Sequence, residues 1–185
     1  PAADPAPATA PPAARGDHPA YLIYTSGSTG LPKGVLGTRQ ALAGRLAWAE
    51  ELWPPTSPDV RLIKSSLSFI DGLTELLAAL RAGAEIVFAT DAQRTDPMAQ
   101  AGLIAEHAVT SVTAVPSLAT ELAALAPEPC RGVHRWVLSG EALTGDLAQR
   151  LRPAGAGTAT LINSYGSSEV AGDVTFETIA AQPGE

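Results

Sequence analysis

The chain has 185 residues, 45% of them apolar and 17% charged, with a formal net charge of -7. That length and composition suit one soluble domain with its own core, and the acidic balance argues against a nucleic-acid partner, which calls for a basic stripe. No apolar run reaches the length that crosses a bilayer, so no membrane partner is expected either.

Residues 1–19 are dominated by Pro and Ala, with no basic start and no apolar stretch, and read as a linker ahead of a domain over 20–185. A compact strand is predicted over 21–24, followed by a Gly-rich loop and a helix over 35–52 that ends at the run Trp53-Pro54-Pro55. Next come a strand over 60–64, a helix over 72–81 and a strand over 84–89. The alternation repeats with a helix over 97–107, which has Pro97 in its first turn, and a strand over 111–115. Helix 117–126, strand 133–138, helix 144–151, strand 158–162 and a last strand over 173–176 complete the order. Strand and helix alternating at this pace imply crossover connections, hence an α/β fold with a mostly parallel sheet flanked by helices. Ligands then gather at the carboxyl ends of strands, and every motif singled out below is expected at such an end. The Leu and Trp residues of the helices read as core and receive no function.

Cys130, the only cysteine, reads as an ordinary loop cysteine, excludes an intramolecular disulfide and fits a cytoplasmic setting. His18, His107 and His134 are scattered, without companions at metal-ligand spacing.

The run from Tyr24 to Gly34 concentrates chemistry: Thr25, Ser26, Gly27, Ser28, Thr29, Gly30, Leu31, Pro32 and Lys33 lie between them. Its glycines let backbone N–H groups approach an anion, Ser26, Ser28 and Thr29 add hydroxyl donors, and Lys33 adds a point charge. It reads as a triphosphate cradle. The Walker loop is excluded, because Pro32 precedes Lys33 and Gly34 follows it where a Gly before and a hydroxyl after are needed. A second motif is Asn163-Ser164-Tyr165-Gly166-Ser167-Ser168-Glu169, where an aromatic beside a glycine can stack on a base and a neighbouring hydroxyl and carboxylate can serve a phosphate and its Mg²⁺.

The first motif closely resembles the nucleotide-binding signature of the adenylate-forming superfamily, which includes acyl-CoA synthetases, luciferases and the adenylation domains of nonribosomal peptide synthetases. The second is similar to that superfamily's N-x-Y-G-x-T-E motif, with Ser168 in place of threonine. The chain looks most like a nonribosomal peptide synthetase adenylation domain, as a central piece of its large amino-terminal subdomain. The resemblance implies ATP and Mg²⁺ as cofactors. It gives Lys33 and the loop to the departing pyrophosphate, Asn163, Tyr165 and Gly166 to the adenine site, Ser168 to the α-phosphate and Glu169 to the metal. The segment Ser139-Gly140-Glu141-Ala142-Leu143 resembles the stretch that lies against the other face of adenine. The implied reaction activates a small carboxylic acid as an acyl-adenylate, with release of pyrophosphate, for transfer to the phosphopantetheine thiol of a carrier protein.

The same resemblance places the substrate pocket at Phe69, Ile70, Asp71, Thr74, Thr113, Val137, Ser139, Ser164, Gly172 and Asp173. Relatives that activate amino acids usually carry Phe-Asp where this chain has Phe69-Ile70, with the acid displaced to Asp71. Isoleucine cannot neutralise a buried ammonium. Either the substrate lacks an α-amino group, or Asp71 or Asp173 reaches a differently placed amine; a helix N-cap is the competing role for Asp71. The ribose-gripping aspartate, hinge and distal lysine of the family are not in the chain. The remainder of the adenylation domain is therefore expected as a partner, and the piece alone is expected to be weakly stable and inactive. The alternatives are a truncated non-catalytic nucleotide-binding or docking module and an acyl-CoA synthetase fragment.

Overall fold

The computed structural model describes residues 13–26, 30–151 and 159–179. Most of the expected linker, the loop residues Gly27, Ser28 and Thr29, and the start of the strand expected at 158 lie outside them.

Strands β1 (Pro19–Thr25) and β2 (Lys33–Thr38) form an antiparallel hairpin, a two-stranded sheet of its own. This corrects the expectation of a helix from residue 35: the helix α1 is Arg39–Leu52, and the Thr38 hydroxyl caps it by accepting from the Ala41 N–H at 3.2 Å. The strand wins because the Tyr21 ring lies across Gly37, where a Cβ would come within 2.0 Å of it. Leu36 also pairs with Leu22 on the facing strand.

The main sheet contains β3 (Val60–Ile63), β4 (Glu85–Phe88), β5 (Ser111–Ala114), β6 (Arg135–Ser139), β7 (Thr160–Ser167) and β8 (Gly172–Ile179) in the order β4-β3-β5-β6-β7-β8. All neighbours are parallel except β8, which returns antiparallel to β7. The expected mostly parallel sheet flanked by helices is therefore present. Its helices after α1 are α2 (Ile70–Ala82), α3 (Pro97–Glu106), α4 (Pro116–Leu125), α5 (Pro127–Arg131) and α6 (Gly145–Arg150). Asp96 caps α3 through the N–H groups of Met98 and Ala99, with Pro97 in its first turn as predicted.

Three local expectations change. Asp71 is not a cap: Phe69 holds that position of α2 without a side-chain bond, and Asp71 sits inside the first turn. Cys130 lies in the short helix α5, not a loop, and burial pushes its thiol up to about 11. Strand β7 runs on through the second motif to Ser167, because β8 offers a partner for each backbone group up to a bulge between Tyr165 and Gly166. There a Cβ on Gly166 would meet the Gly172 carbonyl oxygen at 1.8 Å, so only glycine fits.

Period-two alternation gives the sheet two different faces. Leu62, Val112, Trp136, Leu138 and Leu161 point to one side and pack with Ile104, Leu122, Val133 and Leu147 from the α3–α6 layer and its connections. Arg61, Ser111, Thr113, Arg135, Val137 and Ser139 take the other side, beneath α1 and α2. Parallel strands are usually apolar on both faces. The polar face here encloses a cavity.

Candidate functional site

The hairpin holds the ends of the first motif together. Thr25 and Lys33 form its last pair, and the Thr25 hydroxyl donates to the Lys33 carbonyl at 3.5 Å, the outer limit of such a bond. Ser26 is exposed, and Gly30 has φ 81, with nothing within 4 Å of a Cβ there among the described residues.

Lys33 meets the second motif across this hairpin. Strand β2 packs against the single turn Ser168–Val170 that follows β7, and the Tyr21 hydroxyl donates to the Ser168 carbonyl at 2.9 Å. Hydrogen bonds from the Ser167 hydroxyl and from its own backbone, with the Lys33 ammonium as a smaller influence, hold the exposed Glu169 carboxyl below its ordinary range. Glu169 therefore stays ionised. Among the described residues no three His, Cys, Asp or Glu side chains gather as a metal site. A single exposed carboxylate beside the Ser168 hydroxyl fits Mg²⁺, a hard cation that keeps waters and takes phosphate oxygens for the rest of its shell.

The expected adenine site lies at the adjoining strand ends. Tyr165 is 74% exposed, leaving its ring face open for stacking. Asn163 pairs with Leu138 and Ser139 with Ser164 across β6 and β7, which brings Gly140 and Ala142 to the same edge. The Glu141 carboxylate is engaged within the protein. Both its carboxylate oxygens accept from Ser117, one from the N–H and one from the hydroxyl, each at 2.9 Å, and this ties the segment to the start of α4.

Six residues of the expected pocket, Asp71, Thr74, Thr113, Val137, Ser139 and Asp173, line one cavity of about 90 Å³ between the polar sheet face and α1 and α2. The other four are not among its lining residues, although Gly172 borders the wall. Phe69 is 65% exposed, Ile70 is buried core, and the Ser164 hydroxyl is buried with no partner among the described residues. A Cβ on Gly172 would touch Ile70, Thr74 and Arg45 at 3.7 to 3.8 Å. The residue that sequence reasoning missed is Arg45 of α1, whose guanidinium forms a buried ion pair with Asp173. Nothing in the local helical pattern marks it, because its partner is 128 residues away. The Ser139 hydroxyl donates to the other Asp173 oxygen at 3.3 Å. Glu75, also in the wall, accepts from the N–H and hydroxyl of Ser65. The Asp71 carboxylate makes no hydrogen bond or ion pair among the described residues, and burial, followed by the Asp173 charge, raises its affinity for a proton. Arg45 and Lys64 oppose that rise.

Residues 1–185 match the family described as AMP-binding enzyme. Enterobactin synthase component F of Escherichia coli (strain K12) is 38% identical over 164 residues, covering 86% of this chain and 12% of its own length. The beta-alanyl-bioamine nonribosomal peptide synthetase ebony of Drosophila melanogaster is 34% identical over 170 residues, covering 86% of this chain and 19% of its own. The chain thus spans a small part of these relatives. Among solved structures, the Vibrio cholerae adenylation domain AlmE in complex with glycyl-adenosine-5'-phosphate superposes with a TM-score of 0.78 at 26% identity, over 92% of this chain and 32% of that one. With both motifs brought to one edge of the fold and the match running the length of the sequence, the chain belongs to the AMP-binding enzyme family.

Proposed function

We propose that this chain is the nucleotide-binding part of an adenylation domain, which joins a carboxylic acid to the α-phosphorus of ATP, releases pyrophosphate and hands the acyl group to a carrier-protein thiol. The observation that supports this reading is the packing of β2, which begins at Lys33, against the Ser168–Val170 turn, with the Tyr21 hydroxyl bonded to the Ser168 carbonyl. The attack is in line: a carboxylate oxygen bonds to the α-phosphorus as the bond to the pyrophosphate oxygen breaks. Such a step needs positioning and charge neutralisation more than a protein nucleophile. Lys33 faces the leaving pyrophosphate, the Ser168 hydroxyl donates to an α-phosphate oxygen, and Asn163 and Tyr165 orient the base. Mg²⁺, held by Glu169 when bound, supplies positive charge against the phosphates. ATP–pyrophosphate exchange on a complete domain carrying this segment tests the reading, and absence of exchange with every acid offered would refute it.

The Tyr21 hydroxyl sets where Glu169 stands, so Tyr21→Phe should raise the Mg²⁺ concentration for half-maximal exchange by about threefold to tenfold, the value of one hydrogen bond of ~1 kcal/mol. A magnesium titration of both proteins measures this. An unchanged midpoint would show that the bond does not position the turn.

The substrate is a carboxylic acid other than a standard α-amino acid. Ile70 is sequestered in the core, whereas Asp71 lines the cavity with no hydrogen bond or ion pair to its carboxylate among the described residues, which supports an amine set away from the α-carbon. A relative named for a β-alanyl product is in keeping with that placement. Asp71→Asn should lower kcat/KM for an amine-bearing acid by roughly 30-fold to 100-fold and leave amine-free acids within about twofold. Because burial and the Asp173 charge raise the Asp71 carboxyl, with Arg45 and Lys64 opposing, amine binding should weaken on acidification at a higher pH than for an exposed aspartate. That acid limb should vanish in Asp71→Asn. Full-rate exchange with an ordinary α-amino acid would overturn this substrate reading.

A further inference from the structure

Two acids, Asp71 and Asp173, share the end of the cavity beside Ser139, and the guanidinium of Arg45 stands with them. They are not equivalent. One Asp173 oxygen accepts from Arg45 and the other from the Ser139 hydroxyl, so its charge is already paired and each oxygen already has a donor. Both side chains of the ion pair are only 9% exposed. Arg45 is held from behind as well: its guanidinium carbon lies 4.9 Å from the Trp48 ring centre, and Trp48 packs edge-on against Trp53 and Phe176 at 5.4 and 5.3 Å. The Arg45 Nε is buried without an acceptor among the described residues, an unfavourable placement that the ion pair and the stacking must outweigh. A substrate ammonium that sought Asp173 would have to break a desolvated pair and strand a buried guanidinium.

We infer that Arg45 is a specificity-determining residue of the cavity: by engaging Asp173 it withdraws that acid from substrate recognition and leaves Asp71 as the carboxylate that meets a substrate cation. This rests on the acid-activating reading above. With Arg45 in place only Asp71 of the two acids lacks an ion-pair partner among the described residues, which suits an acid bearing a single ammonium. Without it both acids lack one, which suits a diamino acid.

The test uses a complete adenylation domain carrying this chain and a panel of monoamino, diamino and amine-free acids. Selectivity is read twice: as substrate-dependent ATP–pyrophosphate exchange, and as the dissociation constant of each free acid by calorimetry. Arg45→Met keeps the aliphatic stem against Trp48 and should raise the diamino-to-monoamino ratio at least about tenfold, a factor that one charge contact readily supplies. Arg45→Lys should hold the wild-type ratio within about threefold, since a cation still faces Asp173. Should Arg45→Met be too unstable to purify, the pair Arg45→Met with Asp173→Leu removes both charges together, a replacement that buried ion pairs commonly tolerate. That double variant should keep the wild-type ratio, because Asp71 remains. An unchanged ratio in Arg45→Met, or loss of amine preference in the double variant, overturns the inference. Calorimetric ratios that shift as expected while no acid supports exchange would uphold the role of Arg45 and refute the acid-activating reading instead.

Discussion

Replacing Glu169 with Gln in a complete adenylation domain should lower the rate of ATP–pyrophosphate exchange by roughly 100-fold to 1,000-fold, comparable to the loss of one preorganised group facing transition-state charge. The substitution is nearly isosteric, and the Ser167 hydroxyl, the Lys33 ammonium and the Tyr21 bond to Ser168 all remain. Only the negative charge goes. Because Glu169 is exposed and supported by hydrogen bonds rather than packed, the fold should melt within about 0.5 kcal/mol of the parent, as surface substitutions usually do. The midpoint of a magnesium titration should rise together with the fall in rate. Nucleotide binding measured without metal should hardly move. A loss smaller than threefold, or an unaltered metal dependence, would remove Glu169 from the site.

The second large effect concerns the fold. Trp136→Ala should destabilise the domain by about 3–5 kcal/mol, the usual cost of deleting a large aromatic from a closed core. Trp136 has no solvent exposure and sits mid-sheet on β6, with Val112 of β5 and Leu161 of β7 as its register neighbours on the α3–α6 side. Its Nε1 is buried with no partner among the described residues, so Trp136→Phe discards an unsatisfied donor along with part of the ring. The phenylalanine variant should therefore lose less than half as much stability. Denaturant midpoints for both variants, with slopes compared against the parent, check this. Equal losses would mean that the indole N–H contributes a favourable interaction to the native state.

The order of strands and helices after residue 60, the short helix α5 excepted, is legible because its signals are local. Period-two runs such as Ser111-Val112-Thr113-Ala114 and first-turn prolines such as Pro97 act over a few residues and survived folding unchanged in kind. The hairpin was not legible. Residues 35–38 accept either a helix or a strand, and the choice fell to a cross-strand contact, the Tyr21 ring over Gly37, that a helical count does not register. The local pattern ends strand β7 too early for a similar reason: the polar residues Asn163, Ser164 and Ser167 look like a turn until β8 returns to satisfy their backbones.

In the site, chemical type was written in the sequence and employment was not. Lys33, Tyr165, Ser168 and Glu169 belong to motifs whose residue types already limit what they can bind, and the fold then packs β2, which begins at Lys33, against the turn that carries Glu169. Glu141 belonged to such a motif too, yet spends both carboxylate oxygens on Ser117. Asp71 and Asp173 are indistinguishable as letters. What separates them is that α1 lays Arg45 against one and not the other, and a pairing across 128 residues depends on how a helix packs over a sheet. By itself the sequence determined the family, the α/β alternation and the donors offered to a nucleotide, since each rests on residue type and short spacing. The tertiary structure alone decided which strand the loop hangs from, which acid is already neutralised and which carboxylate faces an open cavity, because these depend on burial and on charges brought close through space.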